Sequence, residues 1–439
     1  MKAKRRSLST SLIGLDEGEA GGVGSAVRRT HLWRAMCGLL LASYGIAASV
    51  GIRAAVADQG APERPLVGAY YYPWYRASRD PRPARGNWSR ALRVRLTPPQ
   101  EPALGFYDSA ASTTIKTHLT QSRRAGIDFW AVSWWGPGSR TDRVFRNSIL
   151  GHAEASQLRY AILYESTGRM GRMSEPRYDC WLSDLEYLQE NLFNHPRYLR
   201  IDGRPVLFFY LARVYFSQPE GMRALRAMRE RFPEIYLIAD DVFGPNYPAR
   251  RARLFDAVTA YDVYGQSLKP EGATRAAIER LAANYRQAKQ AANSVGSAFV
   301  PAVSPGYNDR AVRAGNPARG RYFTDEPKSA EGDVFRAMIR DVALPNLDER
   351  ASRMFMITSF NEWYEDTQIE PTRGTQPNTS RDDSAEKRAL TEGQRYSDYG
   401  ELYLNLLRDG VESPTSADET LGGDRALSKT THEQKQVTP

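Results

Sequence analysis

Met354 to Pro371 reads MFMITSFNEWYEDTQIEP. An apolar strand, Met354 to Ile357, runs directly into a polar turn that carries Asn361, then Glu362 and Glu365 with Trp363 and Tyr364 between them, then Asp366 and Glu370. A strand without polar residues belongs in a parallel sheet covered on both faces. Functional side chains gathered just past such a strand mark the carboxyl end of an α/β barrel or doubly wound sheet, where these folds hold their ligands.

Working outward, short apolar or aromatic runs alternate with stretches of helical period, the pattern of parallel strands covered by helices. Eight strands are expected: Val67 to Trp74, Ile127 to Trp134, Tyr160 to Tyr164, Pro205 to Tyr210, Ile235 to Ala239, Ala257 to Tyr261, Ala298 to Val303 and Met354 to Ile357. Between them fall helices over Ile115 to Arg124, Val144 to Ser156, Asp179 to Phe193, Pro219 to Arg231, Thr274 to Val295 and Gly332 to Leu344, with a last one over Tyr399 to Leu407. No glycine-rich phosphate loop follows the first strand, so the series predicts a single (β/α)8 TIM barrel over residues 58–410 rather than an open dinucleotide-binding sheet.

Polar and aromatic residues crowd the expected strand ends. Tyr70, Tyr71, Tyr72, Trp74 and Tyr75 lie at the first, Trp134 and Trp135 at the second, Glu165 at the third, Asp240 and Asp241 at the fifth, Tyr261 and Tyr264 at the sixth, and Tyr307, Asp309 and Arg313 past the seventh. Such a ring suits sugars, whose C–H faces stack on aromatic rings while their hydroxyls take carboxylate, amide and guanidinium partners. Strand side chains alternate, so only half of the first-strand tyrosines can face a pocket. Glycoside cleavage needs one carboxylic acid to protonate the leaving oxygen and a second carboxylate on the other side of the bond. Glu362 and Glu365 have the spacing to face one sugar. A bare Glu-x-x-Glu is common on solvated helices, and it is the position behind a strand and among aromatics that separates this one.

The net charge of +9 looks like a nucleic-acid signal, but residues 1–57 hold eight Lys or Arg against three acids, and the remainder carries about +4 without a basic stripe. Lys2, Lys4, Arg5 and Arg6, followed by Arg28, Arg29 and Arg34 ahead of the apolar run Met36 to Ile52, form a charged region and a hydrophobic region. Ala55-Val56-Ala57 offers a cleavage site, so residues 1–57 are expected to direct export to the periplasm or the medium, as a cleaved signal or an uncleaved anchor. With only Cys37 and Cys180 present, no disulfide is expected in the barrel, and Cys180 is expected to be a packed or half-buried thiol. The five histidines lack ligand spacing, so neither a metal nor a cofactor is expected. Beyond Gly410 the chain turns polar, and 411–439 are expected to form a disordered tail.

With these residues in view, the chain resembles glycoside hydrolase family 99, the endo-α-mannosidases and bacterial endo-α-mannanases, whose signature is close to ITSFNEWHEGTQIE. The match is Ile357 to Glu370, and further likeness lies in GAYYYPWY (Gly68 to Tyr75), AVSWWGPG (Ala131 to Gly138), NHPRYLR (Asn194 to Arg200) and VPAVSPGYND (Val300 to Asp309). The resemblance implies a (β/α)8 barrel that cleaves inside α-mannose chains with retention, through a 1,2-anhydro sugar formed by the substrate's own 2-hydroxyl. It implies Glu362 as the base on that hydroxyl and Glu365 as the acid for the leaving group and then the base for water, whereas the common retaining scheme would make Glu362 a nucleophile, and the sequence fits both. It also implies Tyr71, Trp135, Glu165, Tyr261, Arg313, Asn361, Trp363 and Tyr364 as sugar-binding residues, and a tryptophan at Trp135 is similar to the bacterial mannanases. Two departures stand out. Tyr364 replaces a histidine, and Asp366 replaces a glycine and is expected to add negative charge beside Glu365. Two other readings fit the same residues: an enzyme for another surface polysaccharide on the same barrel, and a glycan-binding protein without catalysis, against which the acid pair argues.

Overall fold

The structure, a computed structural model, describes residues 64–77, 86–264, 272–374, 378–382 and 389–412. The expected leader at 1–57 lies outside them, as do residues 413–439 of the expected tail, whose first two residues, Val411 and Glu412, instead end the last helix. Eight parallel strands form the barrel: β1 (Leu66–Tyr71), β2 (Phe129–Trp134), β3 (Arg159–Tyr164), β4 (Arg204–Phe209), β5 (Tyr236–Asp240), β6 (Ala257–Thr259), β7 in two pieces (Ala298–Val300 and Ala302–Val303) and β8 (Met354–Ile357). Each pairs with its neighbour in chain order, and β8 returns to β1 with Leu66 opposite Met354 and Ala69 opposite Ile357. The break in β7 falls at Pro301, which has no N–H for a ladder. The piece before it pairs with β6 and the piece after it with β8.

Alternation along β1 sorts the barrel's contents. Gly68 and Tyr70 point inward. A Cβ at Gly68 would lie 2.1 Å from the Phe129 ring and 2.6 Å from the Met356 sulfur, so only glycine fits there. The Tyr70 ring packs on Phe208 and Tyr261. Tyr71 points outward, its ring stacked on Trp130 at 4.0 Å and its hydroxyl on His118 Nδ1. At the amino ends of the strands one device recurs: a buried or half-buried aspartate accepts a strand amide, Asp128 from Val67, Asp256 from Leu237 and Asp348 from Phe299, each at 2.8 or 2.9 Å. These bonds satisfy backbone donors at the closed end of the barrel.

Helices cover the outside: α1 (Ser112–Arg124), α2 (Arg140–Arg143, continued by the wider turn Val144–Ile149), α3 (Trp181–Leu188, continued by Gln189–Phe193), α4 (Pro219–Arg231), α5 (Arg275–Asn293), α6 (Asp333–Ala337, continued by Met338–Ala343) and α7 (Leu402–Glu412). The last begins three residues later than its expected start and runs five past its expected end. Between β1 and α1 the described chain folds over the mouth as a cover segment with two short turns, Gly86–Arg90 and Arg93–Arg95, and its Trp88 stacks on Tyr75 at 4.2 Å. Cys180 is half-buried and donates to the Arg169 carbonyl, as a packed thiol. Among the described residues no helix is long and apolar enough to cross a membrane.

Candidate active site

The turn after β8 closes on itself. Ser359 N donates to the Thr367 carbonyl and Ile369 N to those of Ser359 and Phe360, so residues 361–366 form a tip pinned at its base. Glu362 N donates to Ser359 Oγ at 2.7 Å. Asn361 staples the tip to the chain leaving β1, accepting from Tyr72 N at 2.7 Å and donating to its carbonyl at 3.1 Å. Trp363 N donates to the Tyr75 hydroxyl, and its Nε1 to Glu370 Oε2 at 2.7 Å. Both side chains are fully buried, so they hold the turn rather than line a cleft.

Glu362 and Glu365 share the tip. Glu362 is 2% exposed and accepts the Tyr364 amide at 2.8 Å. Burial, and then the charge of Glu365, pushes its carboxyl well above the usual range. Glu365 receives Arg313 at 2.9 Å on one oxygen and the Tyr261 hydroxyl at 3.2 Å on the other. Tyr72 donates to the Tyr261 hydroxyl at 2.6 Å, making a short relay of hydroxyls that ends on Glu365. Arg313 also bonds Asp309, which takes Asn316 as a further donor.

A third carboxyl faces this pair. Glu165, past β3, accepts from Ser133 Oγ at 2.7 Å, and Ser133 accepts from Trp135 Nε1 at 3.0 Å. Burial raises its carboxyl to about 8, with Ser133 opposing and the charges of Glu365 and Asp240 adding. Above this lies an aromatic row. Trp74 stacks on Tyr364 at 5.6 Å and 14° and lies 6.1 Å from Trp135. The Tyr364 hydroxyl donates to the Asn87 carbonyl of the cover segment.

Of the residues expected at the site, the structure brings together Glu362, Glu365, Glu165, Tyr261, Arg313, Trp135 and Tyr364, and uses Asn361 and Trp363 to support them. It does not bring Tyr71 there. Strand alternation turns Tyr71 toward α1 and sets Tyr72 at the mouth. Asp240 and Asp241 are also committed elsewhere, Asp240 to the Tyr261 and Leu211 amides and Arg213, Asp241 to Tyr247 and Arg251. Asp366 does not act beside Glu365 as expected. Its carboxylate turns beneath the tip to Arg93 Nε at 2.6 Å and Arg321 at 3.2 Å. Burial alone would raise that carboxyl, but the two guanidinium groups more than reverse this and hold it below the usual value. The contributions of Ser133 and Asn87 went unseen in the sequence, since a serine inside an apolar strand and a backbone carbonyl leave no pattern. Among the described residues no group of His, Cys, Asp and Glu is arranged to hold a metal ion.

Comparison with known proteins adds to this geometry. A family model described as Glycosyl hydrolase family 99 matches residues 67–393. The glycoprotein endo-alpha-1,2-mannosidases of Rattus norvegicus and Mus musculus are 25% and 24% identical over 345 and 344 residues, covering 70% of this chain and 67% of each relative. Among solved structures, two of the GH99 endo-alpha-mannosidase from Bacteroides thetaiotaomicron, one in complex with bis-tris propane, superpose with a TM-score of 0.52 at 21% and 20% identity. They cover 79% of this chain and 97% and 96% of theirs, and share its barrel fold.

Proposed function

The chain belongs to glycosyl hydrolase family 99 and is a glycosidase, and from that premise we propose that it cleaves inside α-mannosidic chains of the α-1,2-mannan type, with Glu362 and Glu365 as its acid pair. One observation carries the reading: the two carboxyls share one pinned turn at the open end of the barrel, and their surroundings make them unequal. Glu362 is buried and its carboxyl pushed up, while Glu365 is partly open and holds Arg313 and Tyr261. Unequal settings are what separate acid from base in a carboxyl pair.

In the proposed reaction Glu362 accepts the proton of the sugar's 2-hydroxyl as that oxygen attacks C1, and Glu365 protonates the departing glycosidic oxygen. The C1–leaving-group bond breaks as the 2-oxygen–C1 bond forms, giving a 1,2-anhydro sugar. Water, deprotonated by Glu365, then opens the ring, and Glu362 returns its proton to the 2-oxygen, so configuration is retained. Burial favours the protonated form of Glu362, so the incoming sugar must supply the polar surroundings in which it acts as a base.

The experiment is oligosaccharide release from α-1,2-linked mannan by the full chain, beside Glu362→Gln and Glu365→Gln. Products from the parent alone support the reading. A parent that leaves mannan intact but shortens another surface polysaccharide supports the second reading, which the Tyr364–Trp74 stack favours because it gives the cleft wall an apolar face where the family carries a histidine.

A further inference from the structure

The residue after the acid pair is bound unlike anything else on the turn. Asp366 has φ +49°, a left-handed conformation that side chains other than glycine rarely take. Its carboxylate accepts from Arg93 Nε at 2.6 Å, Arg321 at 3.2 Å and Gln368 Nε2 at 3.2 Å. Arg321 does more than pair with it, donating also to the main-chain carbonyls of Asp366 at 2.9 Å and Gln368 at 3.0 Å. It therefore grips the backbone at two points just past Glu365. Arg93 reaches in from the cover segment and bonds Gln100 and the Ser397 carbonyl as well. Both arginines and Asp366 are 1–2% exposed, and Arg321 lies over the rings of Tyr399 and Tyr403.

On its other side, the tip is held from outside by Asn308 N on the Glu365 carbonyl at 2.7 Å. Without the Asp366 carboxylate, the two buried guanidinium groups would have a single shared carboxylate, Glu331, at 3.7 and 3.9 Å, and its pull would act against the bonds that Arg321 makes to the turn. We propose that Asp366 is a positioning residue: by drawing Arg93 and Arg321 beneath the turn it sets the direction in which Glu362 and Glu365 project into the cleft. This rests on reading those two residues as the acid pair.

The test uses the full chain and reads hydrogen exchange in peptides spanning 357–371, the thermal midpoint, and kcat and KM on α-mannan per folded molecule. Asp366→Gly relieves the backbone but removes the carboxylate. Exchange in 357–371 should rise about tenfold while the barrel strands keep their protection, and kcat should fall roughly tenfold or more with KM within about twofold. Asp366→Asn keeps an oxygen for both arginines and should recover most of both losses. Parent-like exchange and kcat in Asp366→Gly, with only the thermal midpoint lowered, would overturn the proposal. Should Asp366→Gly not fold, Arg321→Lys, which keeps the charge but not the two-point grip, is read by the same measures, and parent-like values overturn the proposal equally. If the parent releases nothing from mannan, the functional reading fails by itself, and local exchange alone decides the role of Asp366.

Discussion

Glu365 and Asp366 are consecutive residues whose carboxylates lie in opposite settings. Above the turn, Glu362, Glu365 and Glu165 crowd together with Arg313 as the cation bonded to Glu365, and burial drives the carboxyls of Glu362 and Glu165 upward, Glu165 to about 8. Below it, Asp366 meets two guanidinium groups within 3.2 Å and is held below its usual value. Glu331, the looser member of the lower cluster, is raised by burial despite the same two arginines. Burial is common to both places; the number and closeness of cations differ. An acid with too few partners can give and take protons at working pH, whereas one with its full complement is fixed as a charge and can only hold.

The comparison breaks most sharply at Glu365. On the proposed roles, Glu365→Gln lowers kcat by roughly 10²–10⁴, the worth of a placed acid–base group, and leaves the urea midpoint near the parent's. A variant that keeps its activity would remove the upper cluster from the chemistry. Arg93→Ala should do the reverse in kind, costing about 3–5 kcal/mol of stability because it strips a partner from a buried pair. A loss below about 1 kcal/mol in urea unfolding would mean that Arg321 alone suffices. Next comes the pair of neighbouring tyrosines. Tyr72→Phe cuts the hydroxyl relay to Glu365 and should lower kcat about tenfold, while Tyr71→Phe, which loses only its bond to His118, should leave turnover within about twofold and cost about 1 kcal/mol. Equal effects on turnover would contradict the placement of both.

The remaining contrast is in pH dependence. A carboxyl raised on folding, as in Glu165, contributes stability that is present below its ordinary value near 4.5 and is lost as pH rises toward about 8. Glu165→Gln should therefore flatten the fall of the thermal midpoint across that window, the gap from the parent growing as pH rises. Parallel curves would show that the carboxyl is ionised in the fold.

The barrel was readable from the sequence because its strands are short apolar runs between helical periods, and all eight appear within a few residues of their expected places. Strand ends were less readable: β1 stops at Tyr71, where Asn361 takes over the backbone of Tyr72, a contact 289 residues long in sequence. Period-two alternation says that Tyr71 and Tyr72 must part company, but in a run of three tyrosines it does not fix the phase. The acids stood out by motif and position. The lower cluster did not, because Arg93 and Arg321 look in sequence like any solvated arginine, and only the fold brings them 273 and 45 residues along the chain to Asp366.

The break at Pro301 bears on how the site works. The join between β7 and β8 holds two residue pairs, Met356 with Ala302 and Ile357 with Val303, where β2 and β3 share six. It is thus a thin seam in the cylinder, and it runs between the strand that leads to the acids and the strand that leads to Arg313. Arg313 and Glu365 therefore meet across the join with the fewest residue pairs among the described strands of the barrel, and the bond from Asn308 N to the Glu365 carbonyl ties the same two loops a second time.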